Sequence, residues 1–243
     1  MQAKHTGIRL AVIPFSFLLS NALPVSTAHA EVTLDLGLNS QYLREGITQT
    51  GNSFSYNLGL NWLHSSGFYV GAWASRLDRT EDDLKLESDY FAGFYKPLNE
   101  NVAINTSLTH YQFHGDNDSF YQDYSELGVS LLLKDRCKLG WRGTHDYLGT
   151  ERSWQAIDLS YVFPIKDFNV EVYLANYRWL NKDRELGAHY DSKSHYWHFR
   201  VAAERTWKNW DYKFSFERAI VGGRFDGGTR FVFGINRHFK LFQ

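Results

Sequence analysis

The sequence predicts an all-β fold, a transmembrane antiparallel up-and-down barrel of twelve strands, and three observations predict it. The last stretch, Thr229 to Phe242, alternates Phe231, Phe233, Ile235, Phe239 and Leu241 with Arg230, Gly234, Asn236, His238 and Lys240. Eleven further segments of about ten residues repeat this period of two, the length a tilted strand needs to cross a bilayer. Aromatic residues make up 17% of a chain that is also 22% charged. That mixture suits a barrel whose oily row faces lipid, whose polar row faces a wet interior, and whose rings mark both interfaces.

The elements follow in order. Residues 1–30 read as a cleaved export leader: Lys4 and Arg9, an apolar run from Leu10 to Leu19, and Ala28-His29-Ala30 as the small-x-small cleavage site. The apolar run is too short for a membrane helix. Residues 31–243 form one barrel domain. Its first two segments are Val32 to Tyr42 and Phe54 to His64, with Val32, Leu34, Leu36 and Leu38, then Phe54, Tyr56, Leu58, Leu60 and Trp62, on one face. In Phe68 to Leu77 and Leu86 to Lys96 the phase is contested, because Tyr69 and Trp73, or Phe91, compete with the other row. Val102 to Phe113, Tyr124 to Leu133, Cys137 to Tyr147 and Trp154 to Phe163 follow, the second of these made plain by Leu127, Val129, Leu131 and Leu133. Phe168 to Tyr177, His195 to Trp207, Trp210 to Ile220 and Thr229 to Phe242 complete the set.

The connections support this count. Those after even segments are tight, such as Ser65-Ser66-Gly67, Lys134-Asp135-Arg136 and Lys208-Asn209. Those after odd segments are mostly longer, notably Leu43 to Ser53, His114 to Asp123 and Leu180 to Ser194. Short periplasmic turns and long external loops are the asymmetry of outer-membrane barrels. The expected location is therefore the bacterial outer membrane. Trp207, Trp210, Tyr212, Phe214 and Phe216 read as an interfacial belt.

Composition excludes several classes. The formal charge is −1, and losing Lys4 and Arg9 with the leader makes the remainder slightly more acidic, so no nucleic-acid partner is expected. Cys137 is the sole cysteine, and its phase is that of Leu139 and Trp141, so packing or lipid contact is its expected role. His195 and His198 fall on opposite strand faces and cannot share a metal by that spacing. No metal or cofactor is expected. A hydrolase would need a Ser and a His in reach of one another, and Ser107 or Ser130 with His110 is the nearest pairing. The main reading is no enzyme.

The run Ser40-Gln41-Tyr42-Leu43-Arg44-Glu45-Gly46-Ile47-Thr48-Gln49-Thr50, followed by Gly67-Phe68-Tyr69-Val70-Gly71-Ala72-Trp73-Ala74-Ser75, resembles the TorF family of porins, formerly catalogued as a proteobacterial family of unknown function. The family pattern is roughly Ser-x-Tyr, an Arg-Gly-x-Ser/Thr-Gln, then a Gly-Phe-Tyr-x-Gly-x-Trp-x-Ser strand. Here Glu45 stands where the Arg before Gly46 is usual, with Arg44 one place earlier. The resemblance implies an outer-membrane barrel that serves as a pore.

With the apolar row facing lipid, the inward row should line a pore with Asp35, Asn57, Glu87, Asp89, Glu126 and Arg142, and further round with Glu171, Arg200, Glu204, Lys213, Glu217 and Arg230. Acidic side chains outnumber basic ones, so a mild cation preference is expected. Arg44 and Glu45 are expected at the outer rim, as solvated loop charges or as a gate or ligand contact. The expected function is passive diffusion of small polar solutes, with outer-membrane lipid and the barrel-assembly machinery as partners. A closed structural barrel filled by paired charges, a receptor barrel reading its partner through Leu180 to Ser194, and a barrel hydrolase are the alternatives.

Overall fold

The computed structural model describes residues 30–79, 83–115, 122–180, 195–221 and 227–242. The expected leader (Ala30 apart), residues 181–194 of the receptor-type connection, and Gln243 lie outside the described residues. In chain order the strands are β1 (Glu31–Asn39), β2 (Leu43–Arg44), β3 (Ile47–Thr48), β4 (Ser55–Leu63), β5 (Phe68–Arg76), β6 (Leu86–Asn99) and β7 (Val102–His114). They continue with β8 (Tyr124–Leu133), β9 (Cys137–Thr144), β10 (Trp154–Ile165), β11 (Phe168–Trp179), β12 (His195–Trp207), β13 (Trp210–Ile220) and β14 (Gly228–Phe242).

All but β2 and β3 form one closed antiparallel barrel of twelve strands. Sequence neighbours pair along the wall, and β1 closes it by pairing with both β4 and β14, for example Leu38 opposite Tyr56 on one side and Ile235 on the other. Closure leaves no unpaired strand edge, which a bilayer would not tolerate. The rows behave as the period of two requires. Along β8, Tyr124, Glu126, Gly128, Ser130 and Leu132 are buried inside, while Leu127, Val129, Leu131 and Leu133 are exposed on the outer surface. The outer row continues through Leu139, Ile157, Leu159, Phe199 and Phe214. In the contested segments Phe68, Val70, Tyr90 and Phe94 take the outer row and Tyr69 and Trp73 point inward.

Tight connections rely on residues that accept positive φ. Lys134 and Asp135 (φ 51 and 53°) and Lys208 and Asn209 (φ 50 and 66°) each turn the chain between two wall strands, with a twist that matches the flanking ladder.

Several strands run past their expected ends, as β6 does from Lys96 to Asn99, and two stop well short of them. The first segment, expected to reach Tyr42, leaves the wall after Asn39, because Gln41 Nε2 donates to Phe231 O (3.0 Å) and the Tyr42 amide to Thr50 Oγ1 (3.0 Å). The segment expected to reach Tyr147 ends at Thr144, where Asp146 Oδ1 accepts the Glu151 amide (2.6 Å) and a short 3-10 turn at Tyr147–Gly149 drops Tyr147 and Leu148 into the interior.

Candidate functional site

The connection between β1 and β4 does not stand up from the rim; it folds into the lumen. From Gln41 to Thr50 every residue except the half-buried Ile47 is buried. β2 and β3 form a miniature hairpin, with Leu43 opposite Thr48 and Arg44 opposite Ile47. Its tip is Glu45-Gly46, at φ 56 and 81°, positive values that suit a two-residue hairpin turn. Gly46 is also required by space: a Cβ there would lie 2.7 Å from Ala219 Cβ on β13 and 2.8 Å from His198 Cδ2 on β12. The stem is tied back by Gln49 N to Tyr42 O (2.8 Å) and Asp78 N to Gln49 O (2.9 Å).

Arg44 and Glu45 are therefore not rim residues with solvated charges. They are 8% and 9% exposed, because each meets partners on the wall that a rim position could not reach. Arg44 Nη1 donates to Glu87 Oε1 (2.7 Å), its Nη2 donates to the Tyr124 hydroxyl and lies 3.9 Å from Glu126 Oε1. Arg142 Nη1 donates to both Glu45 Oε1 and Glu126 Oε2 (3.1 Å each). Tyr147 OH donates to Glu45 Oε2 (2.7 Å). The result is a chain of alternating charge from β6 to the hairpin: Glu87, Arg44, Glu126, Arg142, Glu45. Asp89 lies beside it, 1% exposed, with no hydrogen-bond partner for either carboxylate oxygen among the described residues. These four carboxylates thus lie around Arg44 and Arg142, and Arg79, whose Nη1 donates to Gln49 Oε1 (2.9 Å), adds a third guanidinium whose charge acts on Glu87. Tyr42, in the stem, has its hydroxyl pKa pushed well above the ordinary value by burial and by the charges of Glu87 and Asp89, so it stays protonated.

Rings surround this network. Tyr111 stacks on Tyr124 (4.9 Å between centroids), Tyr147 on Trp154 (4.7 Å), and Tyr177 on Tyr196 (4.8 Å), giving an arc that runs along the inner wall from β7 to β12. These rings were not among the predicted lining residues. The signal was present in the phase: Tyr124 shares the row of Glu126, and Tyr111 is directly opposite Asp89. Beneath the hairpin a cavity of about 80 Å³ is lined by Arg44, Glu45, Lys138, Asp158, Arg200 and Glu217 among others. That volume suits a few waters rather than a sugar.

The remaining predicted lining residues all occupy the inward row. Glu171 pairs with Arg200 (2.8 Å), Glu217 with His198 (2.9 Å), and Glu204 faces Lys213 across the ladder. Asp35 contacts His238, whose Nε2 lies 3.0 Å from Asp211 Oδ2. Asn57 folds over Gly37 together with Asn236, at a spot where any side chain on residue 37 would collide. Arg230 is half-buried toward the loop end of β14. Glu87, Glu126 and Arg142 build the hairpin network described above. The hydrolase pairing fails on geometry. Ser107 and Ser130 are on the inner row, and His110 is on the outer one, its Nδ1 3.0 Å from Ser125 Oγ.

No curated protein matches the chain in sequence. The KdgM porin superposes with a TM-score of 0.54 at 14% identity, covering 85% of this chain and 99% of its own. The NanC porin does so with a TM-score of 0.56 at 10% identity, covering 87% and 100%. The fold is thus similar to that of porins. Residues 24–217 match the model of a family described as a bacterial protein of unknown function (Gcw_chp), and the chain belongs to that family.

Proposed function

We propose that the protein is an outer-membrane channel of porin type that lets small hydrophilic solutes diffuse passively, with a preference for cations set where the hairpin crosses the lumen. The observation that carries this reading is the interior itself. Charged side chains occupy the inner row toward both ends of the barrel, from His238 between two aspartates to the Glu87–Arg44–Glu126–Arg142–Glu45 chain. Unpaired charge is costly in a dry core and tolerable beside water. The excess of carboxylates over guanidiniums at the narrowing raises the local concentration of cations.

Further parts of the reading rest on the sequence. Residues 1–30 would be removed on export and residues 31–243 would enter the membrane through the barrel-assembly machinery, with lipid against the outer row. The motif around Arg44 and Gly46 supports the TorF designation within the family. A KdgM structure is described as a complex with a disordered oligogalacturonate, which supports passage of polar solutes through barrels of this fold. No covalent chemistry is assigned, since Ser107, Ser130 and His110 do not meet. A second reading, a closed barrel, is favoured by the small cavity left under the hairpin.

Planar-bilayer recording from purified, refolded protein distinguishes the two. Discrete conductance steps with a reversal potential on the cation side are expected, and changing Glu87 and Asp89 to Gln and Asn should move that potential toward zero selectivity. Complete absence of steps would favour the closed barrel, and an unmoved potential would remove Glu87 and Asp89 from the path.

A further inference from the structure

The guanidinium of Arg44 is held as a ligand would be held. Its carbon lies 4.2 Å from the centroid of the Tyr111 ring, 5.5 Å from Phe113 and 5.4 Å from Tyr124. Glu87 and Glu126, both fully buried, supply the carboxylates, and Tyr124 OH bridges from Arg44 to Glu126 Oε1 (2.8 Å). Every wall member of this box comes from β6, β7 or β8, three adjacent rigid strands. Only the occupant comes from elsewhere, on a two-residue strand of the inner hairpin. Aromatic faces with flanking carboxylates are a general recognition device for planar or alkylated cations, and they gain strength when water is excluded.

A second observation points the same way. Asp89, next along the inner row of β6 and opposite Tyr111, is 1% exposed, and neither of its oxygens meets a hydrogen-bond partner among the described residues. The Asp89 carboxylate thus has no direct partner beside the site that Arg44 fills, a condition that buried polar groups rarely sustain.

We propose that the pocket formed by Glu87, Asp89, Glu126, Tyr111, Phe113 and Tyr124 is a binding site for small organic cations of the guanidinium type, and that Arg44 occupies it as a tethered competitor. A diffusing cation that takes the pocket displaces Arg44 and loosens the hairpin that narrows the lumen. Site occupancy therefore couples to the width of the passage. The passage is the channel reading made above; the binding site stands on the wall geometry alone.

Isothermal titration of detergent-solubilised protein with methylguanidinium chloride tests this without requiring conduction. Arg44→Ala is expected to bind the probe at least about tenfold more tightly than the unaltered protein, because the competitor is gone. Glu87→Gln added to Arg44→Ala should abolish the gain, and sodium chloride at the same concentrations should give no saturable heat. Equal affinity in the unaltered protein and in Arg44→Ala, or tight binding that survives Glu87→Gln, would overturn the proposal. Heat-modifiable migration on gels confirms that each variant is a folded barrel, and Arg44→Lys, which keeps a tethered charge without the planar fork, should fall between the two. Binding in the titration together with silent bilayers would retain the site and remove the channel.

Discussion

The loop-end and turn-end halves of the lumen are made by the same twelve strands, yet they treat their charges differently. At the loop end Glu126 is fully buried under Arg44, Arg142 and Tyr124, with the hairpin laid across it. At the turn end Asp35 and Asp211 hold His238 between them across the β13–β14–β1 seam, and that imidazole keeps 27% of its surface exposed. The contacts at the turn end are between wall neighbours. Those at the loop end span the bore, with partners such as Glu45 and Arg142 separated by 97 positions in the chain. Strand number sets the circumference of a barrel, and an inserted segment then decides how much of it is usable.

This contrast can be broken or sharpened by substitution. The largest effect is expected from replacing residues 41–49 with a short Gly-Ser linker, which should raise single-channel conductance several-fold in bilayers while the barrel stays folded. A conductance equal to that of the unaltered protein would mean that the hairpin does not set the bore. Glu126→Gln comes next. It leaves Arg44 and Arg142 short of a shared counter-charge and should cost on the order of 3 kcal/mol, read as a lower urea midpoint for unfolding from micelles. Asp35→Asn should be the mildest, about 1 kcal/mol, since Asn can keep part of the contact with His238, and it should leave conductance unchanged. If it alters conductance as strongly as the hairpin replacement, the two halves are not functionally distinct.

The wall was legible in the sequence because each strand carries its own evidence. Leu127, Val129, Leu131 and Leu133 declare the outer row of β8 without reference to any other segment, and the register follows from turns such as Lys208-Asn209. The inward placement of Glu87, Glu126 and Arg142 is the complement of that row. Residues 40–50 were not legible in the same way. Ser40, Gln41, Arg44, Glu45, Gly46, Thr48 and Gln49 have the composition of an exposed loop, and their burial depends on charges on β6, β8 and β9 that no local pattern reveals. Tyr69 and Trp73 left the phase of β5 open for the opposite reason. An aromatic ring in a membrane strand suggests lipid, but inside a narrow barrel the same ring packs against the folded-in segment, as Trp73 does with Tyr42 at 5.5 Å.

The seam between β1 and β14 joins Val32–Asn39 to Gly234–Phe242. The earliest wall strand thus waits for its second neighbour until nearly the whole polypeptide has been delivered, and until then it has a raw edge open to foreign pairing. A nonsense mutation anywhere before Gly228 would leave both flanks of the sheet bare at once. Such truncated products should be cleared or aggregate rather than persist as smaller barrels, which makes the fifteen residues of β14 a quality checkpoint for the whole wall.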